Sequence, residues 1–337
     1  MKFAACYQFQ AKQPMLPNRE RGVALITAVL VVAIAAIIAT SMMSRQNFDT
    51  RRTANIIHRD QAIAYALGAE HWAGVELSKD AKTNNYDHLK ENWAYDLPPL
   101  PIDGGYINGK LQDLQGRFNL NSVLDPLQAE RFLRLCQAIN VEPGFIPALQ
   151  DWIDGDTELR ENGAEDDSYT LLDPPYRAAN RFLADTSELL LVKGVSVQDY
   201  NILTFYISAL PVNSAINVNT ASAQLLQSLT HDVTLPDVER IIGLRTDKPY
   251  QDIDNFVEDK AFAGKEISEE YLTASSQYFL LTADVMLGDA PLTLQSVLHR
   301  TIEGKITVIQ RRFGPSRERI LTQSDNNLEP TDQNERS

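Results

Sequence analysis

RGVALITAVLVVAIAAIIATSMMSR, residues 21–45, decides how the rest of the chain is read. Residues 23–43 are 21 positions without a charge. At about 1.5 Å per residue a helix of that length crosses a hydrocarbon layer of roughly 30 Å. A cleaved secretory signal has an apolar core of only about 7–15 residues, so the stretch predicts a retained membrane helix. Lys12, Arg19 and Arg21 precede it. The positive-inside rule then puts the N-terminus in the cytoplasm and the bulk of the chain on the far side.

The remainder has an ordinary globular composition, 44% hydrophobic and 23% charged over 337 residues, which is long enough for two or three packed units. Against 31 basic residues stand 45 acidic ones, a net charge of −14. That balance argues against a nucleic-acid partner, whose binding draws on Lys and Arg neutralising phosphates. It suits a domain that stays dispersed or one that holds cations. Cysteine is uninformative about compartment: Cys6 and Cys136 are the only two, and with Cys6 in a removed leader no internal disulfide can form.

No proline interrupts residues 44–80, so the first helix is expected to run on beyond the membrane. Ile56, Ile63, Ala66, Leu67, Ala73 and Leu77 mark one apolar face. Pro98, Pro99 and Pro101 read as a loop after it. GYINGKLQDLQGRFNLNSV, beginning at Gly105, has short strand-like alternations. Phe279, Leu281, Ala283, Val285 and Leu287 alternate with more polar residues, and two further strands flank Gly304 in hairpin spacing. Between these strand groups LDPLQAERFLRLCQAI, PGFIPALQDWID and ASAQLLQSL have helical periodicity and N-terminal caps. The expected fold is α+β: a long N-terminal helix packed on an antiparallel sheet, with a large all-helical domain inserted at 124–275. The flanking parts are a leader at 1–22, a membrane half-helix at 23–43, a first head segment at 44–123, C-terminal strands at 276–314 and a disordered tail at 315–337.

The densest chemistry is DWIDGDTELRENGAEDDSYTLLD, residues 151–173, where nine of 23 residues are acidic and Arg160 alone is basic. Carboxylates crowded in one loop repel unless a cation gathers them, and hard oxygen donors with glycines to turn the backbone suit calcium. The absence of His and Cys argues against zinc. The spacing is not that of an EF-hand, because no glycine follows Glu158. The candidate ligands are Asp154, Asp156, Glu165, Asp166 and Asp167, with Glu158 and Asp151 as weaker ones. The alternative is a solvated acidic loop. Any bound calcium would be structural, tying the loop.

Two motifs lead nowhere. GGYINGK, residues 104–110, imitates a phosphate-binding loop, but Leu111 stands where the magnesium-binding hydroxyl belongs. The five histidines form no HExxH and no pairing with a nucleophile, and no GxSxG occurs, so an enzyme is not expected. INVNTASAQLLQSLTHDVTLPDVERIIGLR, residues 216–245, resembles a helix-hairpin-helix unit of DNA-binding proteins, yet its hairpin, THDVT at 230–234, lacks glycine and carries a carboxylate.

RERGVALITAVLVV resembles the prepilin peptidase junction of type IV pilins and of the pseudopilins of type II secretion. Cleavage there follows the glycine, which implies a cut between Gly22 and Val23; Met15 would then be an alternative start that gives the usual short leader. These families carry glutamate at the fifth mature position, where this chain has Thr27. An intramembrane carboxylate is costly unless paired, and in the family it is thought to meet the free amine of the subunit ahead. A subunit at the tip has none ahead and can dispense with it; an ordinary anchor would carry threonine equally well. Together with DWIDGD…GAEDDSY…PPYRAAN and INVNTASAQLL, the junction makes the chain similar to the protein K family of minor pseudopilins. That resemblance implies a subunit of the inner membrane with its bulk in the periplasm, at the tip of a short filament. Its partners would be minor pseudopilins I and J and the prepilin peptidase. The competing expectation is a bitopic membrane protein whose calcium-stabilised head binds an exported protein outside any filament.

Overall fold

The structure is a computed structural model that describes residues 20–211, 214–262, 265, 267–288 and 290–314. The leader up to residue 19, the alternative start at Met15 and the tail at 315–337 lie outside the described residues. Residues up to His58 form one unit and those from Arg59 a second.

Helix α1 (Glu20–Asp80) is a single uninterrupted helix. Its most apolar window is entirely unburied, and it is long and apolar enough to cross a membrane. In the second unit the helices are α2 (Pro126–Ala138), α3 (Ile146–Ile153), α4 (Asp166–Thr170), α5 (Val197–Leu203), α6 (Ala223–Gln227), α7 (Leu235–Asp247) and α8 (Ile253–Val257). Strands are β1 (Leu97–Ile102), β2 (Gly105–Asp113), β3 (Phe118–Asn119), β4 (Ile207–Ser208), β5 (Ile216–Asn217), β6 (Leu272–Thr273), β7 (Tyr278–Leu287), β8 (Ala290–Arg300) and β9 (Ile306–Gly314).

An antiparallel five-stranded sheet runs in the order β1-β2-β7-β8-β9. Phe279, Leu281, Ala283, Val285 and Leu287 point to one face, as the alternation requires, and pack with Leu294 and Leu298 of β8 against α1. The helix face they meet is not the one its larger side chains outline. Ile56 and Leu67 are exposed and Ile63 is half-buried, while Ala62, Ala66, Ala73 and Leu77 are buried. Small residues let the helix approach the sheet, whose Leu, Val and Phe side chains then supply the buried apolar area.

The proline-rich segment is likewise not a loop: Pro98, Pro99 and Pro101 lie in β1, the outermost strand. Proline is tolerated there because Pro98 and Pro99 fall where the β1–β2 register shifts, outside the paired positions, and an edge strand leaves one side of its backbone unpaired. The β8–β9 hairpin turns at Gly304, whose φ of +79° is open to glycine at little cost.

Between β2 and β7 the chain leaves the sheet for an insert with its own hydrophobic core, built around Phe118, Phe132, Leu149, Leu203, Leu225 and Phe256. Beyond the expected helices it holds two short parallel ladders, β3–β4 and β5–β6. Three buried arginines staple it chiefly through backbone carbonyls, Arg134 also lying 3.4 Å from the Glu130 carboxylate. Arg131 donates to the carbonyls of Ser268 and Glu270, Arg134 to those of Ser228 and Leu229, and Arg245 to those of Val218 and Ala221.

Helix α2 starts at an Asp125 cap whose carboxylate accepts from Gln128 N at 3.1 Å and from Tyr271 Oη at 3.2 Å. Asp125→Ala is expected to cost about 1 kcal/mol, read as a lower urea midpoint at unchanged slope.

Candidate functional site

The acidic loop is built outward from α3. Trp152, at the end of that helix, meets Tyr169 edge-on at 5.1 Å, and Tyr169 stacks on Tyr176 at 5.4 Å, giving the loop an apolar floor. Asp151 is fully buried and fastens the chain above it. One of its oxygens accepts from Arg160 Nη1 at 2.8 Å, the other from Ala164 N at 2.8 Å. Gly163 is required at this crossing: a Cβ there would lie 1.9 Å from Asp151 Oδ2.

Above this floor Asp154, Asp156 and Glu165 each turn one oxygen into a group whose members lie within 4.8 Å of one another. Asp154 Oδ1 and both carboxylate oxygens of Glu165 are buried without a hydrogen-bond partner. The other Asp154 oxygen pairs with Arg160. Asp156 sits at the exposed rim, one oxygen capping Glu158 N at 2.8 Å. Burial, and then the charges of Asp151, Asp154, Asp156 and Asp166, hold the Glu165 carboxyl above its ordinary range. A carboxylate with both oxygens buried and unpaired among like charges lacks a counter-charge. The donors are all hard oxygens, and they fit a divalent cation that accepts backbone carbonyls and water for its remaining positions.

The other candidates serve different ends. Asp166 Oδ1 accepts from Ala178 N at 3.0 Å and its other oxygen lies 3.8 Å from Arg177, so it anchors the PPYRAAN segment. Asp167 and Glu158 are exposed. Asp151 is committed to Arg160 and the backbone. Gly22 and Val23 lie in α1. Thr27 donates its hydroxyl within its own helix, to Val23 O and Ala24 O, each at 3.0 Å.

The motifs set aside above find plain structural roles. GGYINGK forms the β1–β2 hairpin, so no helix N-terminus follows it. The helical pair α6–α7 is present, and Arg134 Nε reaches Ser228 O at 2.7 Å just before its hairpin.

A second cluster is not among the sites singled out from the sequence. At the root of the insert Arg300 donates to both oxygens of Asp87 at 2.5 and 2.6 Å and to Asp80 at 2.8 Å, with its guanidinium over the Phe279 ring. Ser276 bridges Asp87 and Asp113, accepting nothing from either: its N–H donates to Asp87 at 2.6 Å and its hydroxyl to Asp113 at 2.6 Å. Asn217 and Thr220 donate to the same Asp113 oxygen at 3.1 and 2.5 Å. The network ties the end of α1, β2 and β8 to both strands of chain that enter and leave the insert.

An apolar helix of membrane-crossing length, continuous with the helix that packs on an antiparallel sheet carrying a large helical insert, defines a pilin-like subunit. Profiles described as type II secretion system protein K match residues 116–212 and 216–275. Type II secretion system protein K of Pseudomonas aeruginosa is 36% identical, over 88% of this chain and 93% of its own. The protein of the same name from Aeromonas hydrophila is 32% identical over 88% and 98%. Among solved structures, the crystal structure of the GspK-GspI-GspJ complex from the type 2 secretion system of enterotoxigenic Escherichia coli matches with a TM-score of 0.71 and 28% identity, covering 79% of this chain and 100% of the matched one. The chain belongs to the type II secretion system protein K family, and its role is that of a minor pseudopilin in type II secretion.

Proposed function

We propose that the chain acts at the tip of a periplasmic pseudopilus, where it starts or limits filament growth with minor pseudopilins I and J during export across the outer membrane. In this reading the prepilin peptidase cuts after Gly22, the segment from Val23 stays in the inner membrane and the head lies in the periplasm. The work is assembly rather than catalysis, and calcium at Asp154, Asp156 and Glu165 is structural.

The observation that carries the placement is Thr27. Threonine carries no charge and its hydroxyl is satisfied within the helix by Val23 O and Ala24 O, so this position asks for no partner from a subunit ahead. The bulk of the insert agrees, since subunits stacked in a filament leave room for such a mass only where nothing sits above. The relative in the solved complex is described together with GspI and GspJ, which supports the choice of partners.

Two measurements test this. N-terminal sequencing of membrane-extracted protein is expected to begin at Val23. Immunogold labelling of purified filaments is expected to mark one end. Label spread evenly along the shafts would overturn the tip placement, and an uncut N-terminus would favour the anchor outside any filament.

A further inference from the structure

The two edges of the sheet are treated differently. At one edge β1 carries three prolines in six residues, a standard block to pairing with another chain. At the other edge β9, ITVIQRRFG, has no proline, is rich in β-branched residues and leaves Ile309 52% and Phe313 42% exposed. Among the described residues no strand pairs with its outer side.

The register shows which groups are offered. Arg300 N bonds back toward β7 through Gln277 O, so His299, and Thr307 opposite it, use the β8–β9 ladder. Alternation past the bulge after Val308 then turns the N–H and C=O of Ile306, Val308, Arg311 and Phe313 outward. Beside this edge, between α1 and β9, runs an open groove of about 550 Å³ that includes Lys79, Lys82 and Lys305, with Lys82 and Lys305 exposed.

We infer that β9 is a strand-addition site, and that its occupant is an extended acidic segment of a partner pseudopilin. Backbone hydrogen bonds would hold the added strand, and its carboxylates would meet Lys82 and Lys305, Lys79 being already 3.6 Å from Glu76. Charge decides against a second copy of this chain, which would bring the same exposed lysines face to face, Arg311 and Arg312 being already paired with Glu70 and Asp185. The identity of the partner rests on the pseudopilin reading above.

The test uses the full chain co-purified in detergent with minor pseudopilins I and J of the same bacterium. Failure of the unaltered chain to form any complex would count against the pseudopilin reading. Given a complex, Val308→Pro removes an outward N–H that the β8 ladder does not use, at some cost to its packing on the core under the sheet, and is expected to weaken the complex at least tenfold when measured well below the variant's own thermal midpoint. Lys82→Glu with Lys305→Glu, both on the surface, is expected to weaken it at least fivefold. Affinity within twofold of the unaltered chain for either variant would overturn the inference, as would a self-associated dimer that Val308→Pro dissolves.

Discussion

Replacing Arg300 by methionine is expected to destabilise the second unit by about 3–5 kcal/mol at pH 8, and by clearly less at pH 5. Removing one partner of a buried ion pair leaves the other charge uncompensated, which costs about that much. Here two carboxylates lose their cation together, since Arg300 pairs with Asp80 and Asp87 and is almost fully buried. The pH dependence follows from Asp87. Burial lifts its carboxyl to about 7 even against the pull of Arg300, and burial raises Asp113 as well. An unfolded aspartate titrates near about 3.9, so the folded chain binds this proton more tightly. The stability linked to it is complete below about pH 4 and is lost as pH rises through about 7. Without the guanidinium the Asp87 carboxyl is lifted further: at pH 5 it is neutral and tolerates burial, whereas at pH 8 the folded state must either take up a proton or bury the charge unpaired, and both cost stability. Urea midpoints of the detergent-solubilised chain at the two pH values measure the difference. Equal losses at both would mean that Asp87 does not carry the effect.

The same cluster explains which parts of the molecule the sequence could announce. The membrane run and the β7 alternation are local patterns, repeated every 3.6 or 2 residues, and a single stretch contains the whole signal. Arg300 was within reach too. It follows Leu294, Ser296 and Leu298 on the inward parity of β8, a charge where a core residue belongs. Glu70 gives the same hint on α1, between Ala66 and Ala73, and its carboxylate meets Arg311 at 2.8 Å and Ser296 at 2.5 Å. What no local pattern holds is the partner: Asp87 and Arg300 are 213 residues apart. Helix α1 is legible in part: Ala66, Ala73 and Leu77 are buried as expected, but hydrophobicity also points to Ile56 and Leu67, which are exposed, and passes over the small Ala62, which the sheet buries. In the acidic loop composition drew attention to the segment but could not say which carboxylates converge there, namely Asp154, Asp156 and Glu165. Asp166 differs from Glu165 only in which way the first turn of α4 points it, toward Ala178 N instead of Asp154.

Chelating divalent cations is expected to lower the thermal midpoint of the chain by roughly 5–10 °C. A cation present at about 100 times its dissociation constant stabilises the state it binds by about 2.7 kcal/mol, and a chain of this size moves about 2–4 °C for each kcal/mol. Glu165→Gln separates a cation effect from a merely acidic loop. Without a cation, Glu165 is a liability: it is buried, both oxygens lack partners and four aspartates stand near it. The glutamine, of the same size and uncharged, is therefore expected to melt higher than the unaltered chain in chelator and lower than it in calcium, with no response of its own to chelation. Asp167→Asn, at an exposed position outside the converging group, is expected to keep the full response. The crossing of the two Glu165 curves is the decisive feature. A solvated acidic loop would gain from the loss of a charge under both conditions, whereas a loop closed by a cation between α3 and α4 gains only when the cation is absent. An unchanged midpoint of the unaltered chain on chelation would mean that no cation closes the loop and that Arg160, among the described residues, is the counter-charge paired with Asp151 and Asp154.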